Sequence, residues 1–226
     1  MGLRLPRLLH RWTLSVRGAM AVQRRLASRV VERTPEDRPL RWVAGLDAAF
    51  ADEGRICVGA VVVWDRELQQ VVETQVARRQ VRFPYIPGLL SFREAPALLA
   101  ALRRLNCRPD VLMCDGQGRA HPRRFGIACH LGVLCELPAL GCAKSRLVGR
   151  HQEPGVSRGS SAILVDGGEV VGEVLRTRDG VRPVYVSVGH RLDLGTAREL
   201  VLACAIRFRL PEPTRLADRV VAEAGR

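Results

Sequence analysis

The sequence predicts an α/β domain, a mixed β-sheet with helices on both faces. Three observations carry that prediction. Three strand-like segments follow one another across short polar turns, as in an antiparallel meander. Beyond them, helical periodicity alternates with short apolar runs of the kind buried strands show. The 226 residues are 47% hydrophobic but only 4% aromatic, so Val, Leu, Ile and Ala must build the core, and the length suits a single one.

Taken in order, residues 1–31 hold seven arginines and no acid. That pattern fits a basic amphipathic helix or a transit-like peptide. The simpler expectation is that 1–19 is a disordered or mis-started extension and that 20–226 forms one domain. Residues 20–32 read as a helix, followed by the polar linker "RTPEDRP". The meander strands are 41–50, 56–64 and 70–78. The loop "FPYIPGLLSFRE" (83–94) comes next and carries Tyr85, one of two tyrosines in the chain. Proline fixes φ and disfavours helix in the residue before it, so "PYIPG" is a stiff extended loop that presents one ring. A helix over 91–105, a strand at 110–115, a Gly-rich turn, a helix at 124–136 and a strand at 138–143 follow. A hairpin around "DGGE" (162–174), a strand at 183–188 and helices at 195–208 and 215–224 complete the chain. Three strands, then helix, strand, helix, strand, is the element order of the ribonuclease H-like architecture.

The formal charge is +13, which favours a polyanionic partner such as nucleic acid. Of 36 basic residues only Lys144 is lysine, so GC-rich coding shares in the excess of arginine. Seven cysteines, without a C-x-x-C pair, sit mostly in apolar runs. They read as small core residues in a reducing compartment, the cytoplasm, rather than as a disulfide framework. No apolar run reaches the ~20 residues of a membrane span.

Three acids stand in unusual places. Asp47 interrupts the apolar first strand, Asp115 ends the apolar fourth strand before Gly116 and Gly118, and Glu94 lies in the first turn of the helix after the proline loop. If the first and fourth strands are neighbours, Asp47 and Asp115 repel unless a cation lies between them. Mg²⁺ is the economical answer. Each acid also has a purely structural explanation. Ser91-x-x-Glu94 matches a helix capping box, and Asp115 before glycine is a common turn. Asp47 resists dismissal most, because a charge inside a central strand needs a partner. Lys144, just past the strand at 138–143, supplies a compact ammonium suited to phosphate, or is the chance survivor of one codon. His190 follows a strand, where it acts near a reacting phosphate or is simply a buried histidine.

In this order, "PYIPGLLSFRE" (84–94), "DGQGRAHPRRFGIACHLGV" (115–133), "GCAKSRL" (141–147), "VGHRLDL" (188–194) and "RLPEPTRLAD" (209–218) resemble the endonuclease V family over about residues 25–220. The resemblance implies a ribonuclease H-like catalytic domain. It would hydrolyse, with Mg²⁺ or in its place Mn²⁺, the strand carrying a deaminated adenine, one nucleotide beyond the lesion on its 3′ side. The family's acids fall on Asp47, Glu94 and Asp115. Its wedge falls on Pro84, Tyr85, Ile86 and Pro87, with Tyr85 filling the gap as the damaged base swings into a pocket. Lys144 and His190 occupy motif positions near this centre, and Gly116, Gln117, Gly118 and His121 line the base site. Many bacterial members carry "DGHG" where this chain has Gln117, whose amide can donate and accept hydrogen bonds.

The resulting expectation is a monomeric DNA-repair endonuclease acting on deoxyinosine. The alternatives are an inosine-specific endoribonuclease, a nucleic-acid-binding module with structural acids, and a nuclease for RNA in hybrids, which gives no reason for Tyr85.

Overall fold

In the computed structural model, residues 9–12, 15–36 and 39–225 are described. Residues 1–8 of the expected extension and part of the "RTPEDRP" linker lie outside them. The elements are α1 (Val16–Ala27), β1 (Trp42–Ala51), β2 (Ile56–Asp65), β3 (Gln70–Gln80), α2 (Ser91–Leu102), β4 (Val111–Cys114), α3 (Ile127–Cys135), β5 (Ala139–Ala143), β6 (Ser161–Asp166), β7 (Glu169–Leu175), β8 (Val184–His190), α4 (Leu194–Cys204) and α5 (Glu212–Ala224).

All eight strands join one sheet, in the order β3-β2-β1-β4-β5-β8-β7-β6. The meander is antiparallel, whereas β1, β4 and β5 run parallel, joined through α2 and α3. This is the expected mixed sheet. Backbone contact shows which helix covers which face. A Cβ on Gly45 would lie 2.1 Å from the Pro213 carbonyl, so odd-numbered residues of β1 face α5. A Cβ on Gly59, which pairs with Ala48, would lie 2.8 Å from the Ala97–Leu98 backbone, so the even-numbered residues face α2. Ala44, Leu46, Val61 and Val63 therefore form one core with α2 and α3. Val43, Met113, Leu140 and Cys142 form another with Leu200, Val201 and Cys204 of α4. All seven cysteines are free and six are buried, as their apolar settings predict.

Several boundaries differ from expectation. The first helix runs over Val16–Ala27 rather than 20–32, because Ser15 caps it by accepting from the Gly18 N–H at 3.1 Å. The described part of 1–19 also packs on the domain instead of standing apart. Leu9 and Trp12 lie against the core, and His10 Nε2 is 2.7 Å from Nε2 of buried His130. Helix α4 stops at Cys204 rather than 208. Among the described residues no helix is long and apolar enough to cross a membrane.

Candidate active site

Asp47 is an odd-numbered residue of β1 and so points toward α5. Asp115 comes one residue after β4, and its N–H donates to the Leu46 carbonyl at 2.9 Å, which extends the parallel ladder and sets its carboxylate beside Asp47. α5 supplies Asp218. One carboxylate oxygen from each of Asp47, Asp115 and Asp218 lies within 4.8 Å of the others. Burial, and then the charge of Asp115, push the Asp47 carboxyl up to about 7. Lys144 leaves the C-terminal end of β5 and spans two members, with Nζ 2.7 Å from Asp115 Oδ2 and 3.1 Å from Asp218 Oδ1. Burial opposes its charge, but these two carboxylates outweigh that and raise its pKa.

The expected trio was Asp47, Glu94 and Asp115. Glu94 stands outside the 4.8 Å set because it rides on α2, on the opposite face of the sheet from α5. Burial, and then the charges of Asp47 and Asp115, raise its carboxyl to about 8. It is not a helix cap. The residue before the helix is Leu90, and Ser91 Oγ instead meets His130 Nδ1 at 3.0 Å. Sequence reading missed Asp218. "TRLADR" on an amphipathic helix looks like solvated charge, and only the docking of α5 across Gly45 brings it inward. Carboxylates this crowded, all offering hard oxygen donors, suit a divalent cation of the Mg²⁺ kind.

Beside the acids lies a cavity of about 260 Å³, lined by Tyr85, Ile86, Pro87, Gly116, Gln117 and His121 among others. The loop above it is pinned at both ends by buried Phe83 and Leu89, while Tyr85 between them is 70% exposed. One carbonyl fixes the loop's height. Gly88 C=O accepts from Gln23 Nε2 at 3.0 Å, His121 Nε2 at 2.9 Å and Arg123 at 2.7 Å. Gly88 has φ +77°, and a Cβ there would meet Arg123 at 2.8 Å. Burial pushes His121 down to about 4, so its ring is neutral. Nδ1 accepts from the Arg123 N–H, and Nε2–H is therefore the donor to Gly88. Gln23 carried no sequence signal, and Arg123, though inside the 115–133 motif, carried none for this role, because both act on a loop remote in the chain.

Gln117 Nε2 donates to the Ser145 carbonyl at 2.9 Å. Only the NH₂ side of the amide can face a carbonyl, so Oε1 is left buried without a partner. Gly118 is a correction. Its N–H donates to Ser187 Oγ, its carbonyl accepts from Gly126, and a Cβ would lie 2.0 Å from the Val188 oxygen. This glycine seats the turn on β8 and has no group left for a ligand. Pro84 stiffens the loop but does not line the cavity.

His190 is a second correction. β8 runs antiparallel to β5 and pairs His190 with Ala139, whereas Lys144 follows the other end of β5. At ~3.3 Å per residue the two are about 16 Å apart along the sheet. His190 accepts from the Val31 N–H at 3.3 Å, and burial lowers its pKa to about 4. It is a buried structural histidine away from the acids.

A ribonuclease H-like sheet with carboxylates converging from the middle of β1 and the end of β4 defines a class, the metal-dependent phosphodiester nucleases. The chain belongs to the endonuclease V family, whose model matches residues 24–219. It is 50% identical to the endonuclease V of Trichormus variabilis over 94% of this chain and 96% of that protein. The crystal structure of the Streptomyces avermitilis endonuclease V superposes with a TM-score of 0.90 at 46% identity, covering 99% of this chain and 97% of that one. A Ciona intestinalis endonuclease V, solved with a 23mer DNA containing an inosine followed by a ribo-adenosine, gives a TM-score of 0.79 at 26% identity over 92% of this chain and 96% of that one. The protein is therefore an endonuclease.

Proposed function

We propose that this endonuclease recognises deoxyinosine in DNA and hydrolyses the second phosphodiester bond 3′ to it, leaving 3′-hydroxyl and 5′-phosphate ends. The observation that carries the reading is a cavity under an exposed, clamped tyrosine, next to crowded carboxylates. Tyr85 enters the duplex and fills the gap while the inosine base turns into the cavity. Extrusion costs a few kcal/mol, least for a mispaired base. There the unpartnered Gln117 Oε1 accepts from N1–H of hypoxanthine, a hydrogen that adenine lacks. Asp47, Asp115 and Asp218 hold Mg²⁺, with Mn²⁺ as substitute, and Glu94 closes the acid set from the α2 side. When bound, the ion supplies charge to a phosphate oxygen and acidity to water. Lys144 adds a fixed positive charge for the same phosphate.

A second reading, cleavage of inosine in RNA, is favoured by the ribo-adenosine in the Ciona complex. Matched labelled oligonucleotides with one deoxyinosine, one inosine or plain adenine, each with and without Mg²⁺, test both. The expected result is an Mg²⁺-dependent cut one nucleotide 3′ of the modified base. Tight binding without any cut would overturn the reading and leave a non-catalytic binding module.

A further inference from the structure

Next to the tyrosine loop, on the α2 face, runs a groove of about 390 Å³ lined by Trp12, Arg78, Arg79, Arg82, Phe92 and Arg93, with Gln80 and Pro96. Four arginines line it, Arg78 with its guanidinium turned to Ala224 of α5, and no carboxylate does. Among the described residues none of the four is ion-paired, although most arginines facing acids elsewhere are. Arg78 donates to the Ala224 carbonyl, and Arg93 donates to the Phe83 carbonyl. Arg79 and Arg82 are exposed, and no acid opposes them.

The groove joins the candidate active site through Arg93. Its guanidinium carbon lies 4.5 Å from the Phe50 ring centroid and 5.9 Å from that of Tyr85. Arg82 precedes Tyr85 by three residues. Across the sheet lie the arginine groove at β3, the carboxylates at β1 and after β4, and Lys144 with part of the cavity lining at the end of β5. In the plane of the sheet β3 lies three strands from β4, about 14 Å at ~4.8 Å per strand, with the groove on the α2 face and the carboxylates toward α5.

We infer that this groove seats the phosphate backbone of the duplex several nucleotides from the reacting phosphate, on one side of the lesion only. The inference rests on the nucleic-acid reading above. Guanidinium groups that no carboxylate opposes suit a repeating anion whose sequence is not read. They would fix how far along the strand Tyr85 enters.

The test compares the parent with the double variant Arg79→Ala, Arg82→Ala on inosine-containing duplexes over a salt series. Each lost phosphate contact removes ~0.9 from the slope of log K against log salt, so the variant should fall by about 1.8. Trimming the duplex from one end to about three base pairs beyond the inosine should make the two proteins bind alike, and trimming from the other end should not. That convergence also excludes a folding defect. Arg219→Ala, which removes an exposed arginine paired with Glu223, should leave the slope unchanged. An unchanged slope for the double variant would overturn the inference and give the groove to another polyanion, such as an acidic protein segment. An equal loss on full and trimmed duplexes would also overturn it, reducing the effect to overall charge. Failure of the parent to prefer inosine over adenine would count against the proposed function instead, whatever the slope does.

Discussion

Two aspartates on the β1–β2 ladder differ in what surrounds them. Asp65, opposite Trp42, is buried and saturated: Arg41, Trp42 Nε1 and the N–H groups of Glu67 and Leu68 all donate to it. The Arg41 guanidinium beside it holds its carboxyl well below the usual range. Asp47, opposite Ala60, has Asp115 beside it and is pushed the other way. The same residue type in one ladder thus closes a fold at one position and leaves an unmet need for positive charge at the other. The same contrast applies beyond carboxylates, because Gln117 Oε1 is buried without a partner and the Tyr85 ring is 70% exposed.

The largest expected effect separates the two aspartates. Asp47→Asn should abolish cleavage yet, with chelator present, leave the melting temperature equal or higher, since it relieves repulsion. Asp65→Asn should retain cleavage and lower the melting temperature by several degrees. Loss of cleavage in both, or in neither, would erase the distinction. Asp218→Asn sharpens it: a carboxylate at the centre should shift the Mg²⁺ concentration for half-maximal cleavage by roughly 10- to 100-fold, whereas a solvated charge would shift nothing. Tyr85→Ala should weaken binding to a paired lesion by ~1–3 kcal/mol, roughly 5- to 150-fold, and to an unpaired one by less. Equal losses on both would deny the ring its place in the duplex.

The smallest effect concerns another saturated acid. Glu73 accepts from the Asn106 and Cys107 N–H groups. Burial works against its charge, but these bonds and Gln75 hold its carboxyl near 2, below the ordinary 4.5. A depressed folded-state pKa contributes stability above the unfolded value and loses it as pH falls through the folded one. Glu73→Gln should therefore lower the melting temperature at pH 7, and the gap to the parent should close between about pH 4.5 and 2. A gap independent of pH would mean that shape, not charge, holds the 106–107 turn.

Much of this was legible in advance. The meander, the buried fourth strand and the alternation after it follow from periodicity, and Asp47 and Asp115 stood out because a charge in an apolar strand has few innocent explanations. Asp218 and His190 were misjudged for opposite reasons. Asp218 sits in a helix where charge is ordinary, and its role depends on α5 lying within backbone contact of Gly45. His190 sits after a strand like Lys144 does, but β8 runs against β5, and hydrophobic pattern carries no strand direction. Ser91 and Glu94 matched a cap motif whose hydroxyl His130 takes instead.

By itself, the sequence determined the class of fold, the apolar core and the stiff tyrosine loop, because propensity, periodicity and proline geometry act within a few residues. Tertiary structure alone decided which acids meet, which end of the sheet each motif reaches, and which donors clamp Gly88. Those outcomes depend on contacts between segments far apart in the chain, as between Val31 and His190, 159 residues apart, and close packing rather than local preference fixes them.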